Sequence, residues 1–319
     1  MKKNKDSMEK TSHSMEKTNI KPCWVIYGNV YQTKKSKYVA RILETLRTLQ
    51  VNVLIEKQFA NFLAHNLHID IADYSLFCPE EKNAAPDAAI SIGGDGTFLT
   101  TASQLGLTGV PILGINTGRL GFLADVSPHE IEPSLQALAE GRYVVEDRCA
   151  IHVFVNGEPF HTRPLALNEV AVLKHDNSSL IEIVTTVDDA LLTTYSADGL
   201  IVSTPTGSTG YSLSVGGPVL MPTTPTFCLA PVAPHSLHVR PVVVRDDVTI
   251  RMRVKSRSGN FLLAADGVSK SLPQTAEVCV KKAPRPIRVI KIQHTDFFDT
   301  LREKLMWGAD GRHQNEIEV

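Results

Sequence analysis

The spacing of apolar residues changes near residue 144, and that change constrains the fold more than any other feature of the chain. Upstream, short apolar runs alternate with stretches of helical spacing. Cys23 to Tyr27 reads as a buried strand, and Val39, Ile42, Leu43, Leu46 and Leu49 then recur along one helix face. Val51 to Ile55, Ala88 to Ile92 and Ile112 to Ile115 are further apolar runs of strand length. Strands alternating with helices predict a parallel sheet covered on its faces. Ser127-Pro128-His129-Glu130 has the make-up of a capping box and predicts a helix start, with Gly141 ending the helix after Glu140.

Downstream, Val144 to Val155, Ala166 to Leu173, Leu180 to Val187, Leu200 to Ser203, Val242 to Val254 and Phe261 to Ala265 are strand-like, with little helical material between them. This predicts a second, mostly β domain. Phe297, Phe298, Leu301 and Leu305 return to helical spacing, so the chain is expected to end by packing back onto the first domain. The expected divisions are a disordered polar tail over 1–20 with a repeated Ser-Met-Glu-Lys-Thr, an α/β domain over 21–147, a β-rich domain over 148–288, and a returning segment over 289–319.

Composition narrows the partners. With 319 residues, 43% of them apolar, the chain can build about two domains. Lysine and arginine number 33 against 34 acids, which is no basic excess for nucleic acid or an anionic membrane. No apolar run approaches the roughly 18 to 20 residues of a bilayer span, and the start has no signal-peptide core. A cytoplasmic protein with a small-molecule partner is expected. Cys23, Cys78, Cys149, Cys228 and Cys279 are scattered and form no C-x-x-C pair, so they read as reduced and structural. The histidines, of which His235 and His238 are the closest pair of note, offer no strong metal spacing, and the metal ligands stay unknown.

Two constellations carry chemistry. Ala88 to Ile92 runs directly into Gly93-Gly94-Asp95-Gly96-Thr97, and Phe98 to Ala102 follows as a helix. A glycine turn between a strand and a helix N-terminus suits a phosphate cradle, because glycine permits close approach and free N–H groups favour phosphate oxygens. The plainer reading is a βα turn capped by Asp95. A carboxylate inside an anion cradle opposes phosphate unless it takes a proton or faces a cation. In phosphoryl transfer to an alcohol, an aspartate accepts the hydroxyl proton, and Asp95 suits that role. No G-x-G-x-x-G follows a strand and no Gly-Lys dipeptide is present, which disfavours dehydrogenases and P-loop enzymes.

The second constellation runs from Asp198 to Ser214 and on to Gly216-Gly217-Pro218. Hydroxyls and two glycines crowd Ser203 to Gly210 behind a buried-looking strand, and suit ribose, amide and phosphate oxygens; Tyr211 can stack on a base. A surface loop of Ser/Thr turns is the alternative. Asn116-Thr117-Gly118-Arg119-Leu120-Gly121-Phe122 follows a strand end, Asn168-Glu169 precedes another strand, and Asp266-Gly267 marks an acidic turn. Each alone is more often structural.

Taken together, Gly93 to Thr97, Asn116 to Phe122, Leu167-Asn168-Glu169, Asp198 to Pro218 and the ending Phe298, Leu301, Lys304-Leu305 and Trp307 resemble the bacterial NAD kinases over about Lys21 to Trp307. The glycine-aspartate motif is shared with diacylglycerol-type lipid kinases, whereas the Thr204 to Ser212 stretch is more specific to NAD kinases. The resemblance implies an NAD kinase/diacylglycerol kinase-like α/β N-terminal domain that binds ATP phosphates, and a β-rich C-terminal domain that binds NAD. It also implies a homotetramer that uses Mg2+ or another divalent cation with ATP as donor. By this resemblance Asp95 is the base for the 2′-hydroxyl and Gly96 lies beside it; Gly93, Gly94 and Thr97 hold phosphate. Asn168, Glu169, Asp198, Thr209, Gly210, Tyr211, Ser212, Leu213 and Ser214 bind NAD. Family members often carry alanine where this chain has Gly210, and some carry a basic residue at the position of Ser196. A lipid kinase and a non-catalytic NADP-binding regulator stand as alternatives; neither uses every motif.

Overall fold

Strand β1 (Cys23–Gly28), helix α1 (Ser36–Thr48), strand β2 (Asn52–Glu56), helix α2 (Lys57–Asn66), strand β3 (Ser75–Phe77), strand β4 (Ala88–Gly93), helix α3 (Asp95–Leu105), strand β5 (Ile112–Asn116) and helix α4 (Ile131–Ala139) open the chain. Apolar periodicity explains them. In α1 the buried residues are Val39, Ile42, Leu43 and Leu46, one stripe facing the sheet. Strand β4 is buried at all six residues, because β1 and β5 flank it in the sheet and both of its faces are covered.

Strand β6 (Val144–Arg148) follows, then β7 (Ile151–Val155), β8 (Glu158–Pro159), β9 (Leu165–Ala166), β10 (Glu169–Lys174), β11 (Ile181–Val187), β12 (Ala190–Ala197) and β13 (Gly199–Ser203). A short helix α5 (Tyr211–Ser214) precedes β14 (Thr226–Val232), β15 (Val242–Arg245), β16 (Ile250–Lys255), β17 (Asn260–Ala265), β18 (Val268–Pro273) and β19 (Glu277–Lys282). Strand β20 (Ile287–Lys291) and helix α6 (Phe297–Leu305) end the described chain. This computed structural model describes residues 21–31, 36–79, 85–118, 121–161, 164–175, 179–292 and 297–308; the tail at 1–20, Arg119 and Leu120 lie outside them.

Among the described residues the strands form three sheets. The first has the order β3-β2-β1-β4-β5-β20-β6, parallel throughout except for the antiparallel edge pair β20/β6. The other two, β15-β14-β13-β10-β17-β18 and β12-β11-β16-β19-β7-β8, are antiparallel and enclose one core that includes Phe227, Phe261, Met252 and Ile183. The expected α/β plus β-rich architecture is present.

Two expected runs divide. Val144 to Val155 breaks at Cys149-Ala150 into β6 in the first sheet and β7 in another, and Val242 to Val254 breaks at the Asp246-Asp247 turn into β15 and β16. The chain thus crosses between sheets at β6→β7 and returns at β19→β20, and the two crossings touch: the Ala283 N–H donates to the Ala150 carbonyl at 2.8 Å. The helix expected from Ser127 begins instead at Ile131. Ser127 and Glu130 do pair, but the Ser127 Oγ donates to the Glu130 carboxylate at 2.7 Å rather than accepting from a helix N–H, so it closes a turn ahead of the helix. Gly141, at φ 73, ends the helix region as expected. All five cysteines are free thiols.

Candidate active site

Strand β4 brings the chain to the sheet's end at Gly93, and α3 starts two residues later at Asp95. No side chain caps this helix. The N–H groups of Thr97 and Phe98 return to the Gly94 carbonyl, so those ahead of them point out of the helix end, where partial positive charge collects. Gly93 itself is buried, its carbonyl accepting from the Thr117 N–H at 2.9 Å. Gly94, Gly96, Thr97 and Thr100 line one wall of a cleft of about 500 Å³, with Tyr27 to Tyr31 and Glu56 on the other. The cleft lies where the strand order reverses between β1 and β4, the crevice that ligands occupy in open α/β sheets.

The Asp95 carboxylate is held by three successive N–H groups of the loop after β5. Phe122 donates to Oδ2 at 2.7 Å, while Leu123 and Ala124 donate to Oδ1 at 3.0 and 3.1 Å. A carboxylate oxygen has two acceptor directions, so Oδ1 is filled and Oδ2 keeps one. Gly121 makes this approach possible, since a Cβ there would sit 1.8 Å from Asp95 Oδ1. Asn116 braces the same loop: its Oδ1 accepts from the Gly118 N–H at 2.6 Å, and its Nδ2 donates to the Ala124 carbonyl at 3.3 Å.

The β-rich part supplies the facing wall. Glu169 at the start of β10 is opposite Ser203 at the end of β13, and Thr206–Thr209 then forms a single 3-10 turn leading into α5. Thr204 Oγ1 donates to the Leu167 carbonyl at 2.6 Å and accepts from the Gly207 N–H at 3.1 Å; Ser208 Oγ donates to the Pro205 carbonyl at 2.6 Å. These two hydroxyls build the loop rather than facing a ligand. Gly207 crosses so close to Asn168 that a Cβ would lie 2.1 Å from its carbonyl oxygen. Tyr211 and Ser214 are exposed, Thr209, Gly210 and Leu213 half-buried, and Ser212 buried against Gly217.

Asn168 Oδ1, Glu169 Oε2, Ser203 Oγ and Thr206 Oγ1 are buried here without a hydrogen-bond partner among the described residues. An unmade buried bond costs about 1 to 3 kcal/mol, so a group of such atoms on adjoining segments marks a place that a ligand or water completes. Burial, then the nearby Asp266 charge, push the Glu169 carboxyl up to about 7, against a pull down from the Tyr211 N–H. Asp266, in the two-residue turn between β17 and β18, accepts from the N–H groups of Leu167, Asn168 and Glu169 at 2.6, 2.9 and 3.0 Å. Burial still raises its carboxyl to about 6.

The two walls meet. Phe122 and Asp125 from the Asp95 side, Thr206 and Thr209 from the other, and Phe297 and Thr300 of α6 line one small cavity of about 40 Å³. Asp198 is not brought there within the chain. It sits at the far end of β13, roughly 17 Å away at the usual strand rise, paired with Lys174 at 2.7 Å. Sequence reasoning missed the Phe122–Ala124 backbone, because main-chain donors leave no side-chain signature. It also missed the cleft wall at Gly28-Asn29, although a Gly-Asn step directly after an apolar strand is a usable signal. Among the described residues, no group of three or more His, Cys, Asp or Glu side chains converges as a metal cage.

Residues 25–143 match the ATP-NAD kinase N-terminal domain and residues 167–292 the ATP-NAD kinase C-terminal domain. The NAD kinase of Bacteroides fragilis (strain YCH46) is 48% identical over 289 residues, covering 91% of this chain and 99% of that protein. The NAD kinase of Porphyromonas gingivalis (strain ATCC 33277) is 42% identical, covering 89% and 97%. A yeast NADH kinase solved with NADH superposes with a TM-score of 0.84 over 93% of this chain and 91% of that one, and at 21% identity it shows the shared fold. An Archaeoglobus fulgidus NAD kinase solved with ATP superposes with a TM-score of 0.69 at 31% identity, over 89% and 98%. The chain belongs to the ATP-NAD kinase family and is an NAD kinase enzyme.

Proposed function

We propose that the enzyme transfers the γ-phosphoryl group of ATP to the 2′-hydroxyl of the adenosine ribose of NAD, giving NADP and ADP, with Asp95 as general base. The observation that carries this reading is the place of Asp95, at the uncapped N-terminus of α3 between Gly94 and Gly96, which line the cleft. Three N–H donors fix the carboxylate beside the open end of α3, and one lone pair of Oδ2 stays free to take the hydroxyl proton. The leading N–H groups of α3, with Gly93, Gly94 and Thr97 around them, supply donors to the phosphates, and Gly96 borders the same cleft. Asn168, Glu169 and the run Thr209, Gly210, Tyr211, Ser212, Leu213 and Ser214 form the NAD side, supported by the unpartnered atoms beside them.

Mg2+ or another divalent cation accompanies ATP in this proposal, neutralising phosphate charge. Magnesium keeps several waters and takes one or two carboxylates plus phosphate oxygens, which suits a chain without a converging carboxylate cage among its described residues. No protein ligand is assigned to it. The enzyme is further proposed to be cytoplasmic and homotetrameric. No helix among the described residues is long and apolar enough to cross a membrane. A second copy is one way to bring an Asp198 to the NAD side that its own strand holds it away from. The test is incubation with magnesium-ATP and NAD, with product read by an NADP-specific dehydrogenase. NADP formation is expected; its absence alongside phosphorylation of diacylglycerol would overturn the acceptor assignment.

A further inference from the structure

Helix α6 carries a cation to the loop that holds Asp95. Lys304 Nζ lies 4.4 Å from the centroid of the Phe122 ring, and the Phe122 N–H is the one bonded to Asp95 Oδ2. The ammonium is shielded from solvent, and among the described residues no acceptor takes its protons. The charges acting on it are Asp95 and Asp125, which favour it, Lys291, which opposes it, and Glu303 of its own helix, which favours it. Lys291 is itself paired with Asp125, so that carboxylate is already shared. A buried ammonium without a hydrogen-bond acceptor lowers stability, and groups held at such a cost cluster at functional sites.

We propose that Lys304 is a positioning residue for phosphoryl transfer: its ammonium, seated on the Phe122 face, holds residues 121–124 against Asp95 and keeps the free lone pair of the base aimed at the acceptor hydroxyl. The inference rests on Asp95 being the base. Burial lowers the Lys304 ammonium to about 8, with Asp95 and Asp125 resisting. Raising the pH through 8 removes the charge and its attraction to the ring, so turnover falls. Stability moves the other way. The unfolded lysine binds its proton more tightly than the folded one, so the unfolded chain holds more protons across the interval above about 8, and folding stability rises there as turnover declines. A plain packing contact would not separate the two.

The test compares the parent, Lys304→Met and Lys304→Arg by NADP formation from about pH 6.5 to about pH 9.5, together with thermal midpoints. Methionine keeps an apolar stem on Phe122. Lys304→Met is expected to lose about tenfold or more in kcat at neutral pH, with KM for NAD within about twofold, no alkaline limb near 8, and a midpoint no lower than the parent's. Lys304→Arg, charged throughout, is expected to recover most of kcat and also to lack the limb. A Lys304→Met kcat within about twofold of the parent, the same alkaline limb in both, or a midpoint that falls together with activity would each overturn the proposal. Should Lys304→Met fail to fold, a limb near 8 persisting in Lys304→Arg overturns it as well. Asp95→Asn separates the two readings: turnover retained there sinks the base assignment, whereas an inactive Asp95→Asn beside a fully active Lys304→Met sinks only the positioning role.

Discussion

Asp95 and Asp266 are held in the same way and stand in different surroundings. In each, one N–H binds Oδ2 and the next two bind Oδ1, at 2.7, 3.0 and 3.1 Å for Asp95 and at 2.6, 2.9 and 3.0 Å for Asp266. Asp95 opens a helix beside an open cleft, with Lys304 close by. Asp266 sits in a tight hairpin turn with Glu169 as its charged neighbour. The clamp alone therefore assigns no role. The uncapped helix end and the cleft beside it suit Asp95 to proton transfer, whereas Asp266, closed into a hairpin turn, suits bracing the residues it holds, Leu167 to Glu169.

The largest effect that tests this contrast is on Asp95. Asp95→Asn is expected to cost about 10²- to 10⁴-fold in turnover while NAD still binds, measured by NADP formation and by calorimetry with NAD. Turnover within twofold of the parent would remove Asp95 from the chemistry. Gly121→Ala comes next. Its Cβ would overlap Asp95 Oδ1, so the loop must retreat, and an activity loss of about tenfold to a hundredfold is expected with NAD affinity little changed. Full activity would show that the clamp does not govern the base.

Asp266→Asn should act on stability and binding instead. We expect about 1 to 3 kcal/mol of lost stability by denaturant unfolding and a severalfold higher KM for NAD, with kcat nearly unchanged. A turnover collapse comparable to that of Asp95→Asn would erase the distinction between the two sites. The smallest effect is a pH dependence. Glu169 and Asp266 are raised in the folded chain, to about 7 and about 6. Their protonated forms favour the folded state, and that stability is lost as pH rises through these values. The parent should melt higher near pH 5 than near pH 7.5, and Glu169→Gln should shrink the difference. An unchanged difference would mean that Glu169 does not titrate there.

Much of the first sheet was legible because strands covered on both faces leave continuous apolar runs, as in β1, β4 and β5. Strand β18 was missed because it is an edge strand with only Leu272 buried, and β12 because its first half faces solvent. The divisions of Val144 to Val155 and of Val242 to Val254 were illegible because apolar spacing reports burial and not which sheet a strand joins. In the site, Asp95 was legible from its glycine turn. Its partners lie 27 to 29 residues away and donate through the main chain, where residue identity carries no information. The hydroxyls of Thr204 and Ser208 were read with their neighbours as ligand-facing, since a hydroxyl that braces a loop and one that meets a ribose look alike in sequence.

The placement of β20 between β5 and β6 sets the order in which the chain can mature. During synthesis β5 and β6 emerge long before β20; among the described residues β20 pairs along the whole of β6 and meets β5 at Ile112, on a side where β5 otherwise carries only the bridge from Val126 to Ile115. The enclosed core of the two antiparallel sheets depends on no residue beyond β19, so it can close first, while the sheet that carries Asp95 waits with an open slot. Pairing across so many intervening residues is slow to form. In pulsed hydrogen exchange during refolding, amides of β10, β13 and β17 should gain protection before those of β5 and β20; simultaneous protection would show that the slot closes as early as the core. The Asp95 side is thus the last part of the molecule to become whole, and the Lys304 helix follows it directly in sequence.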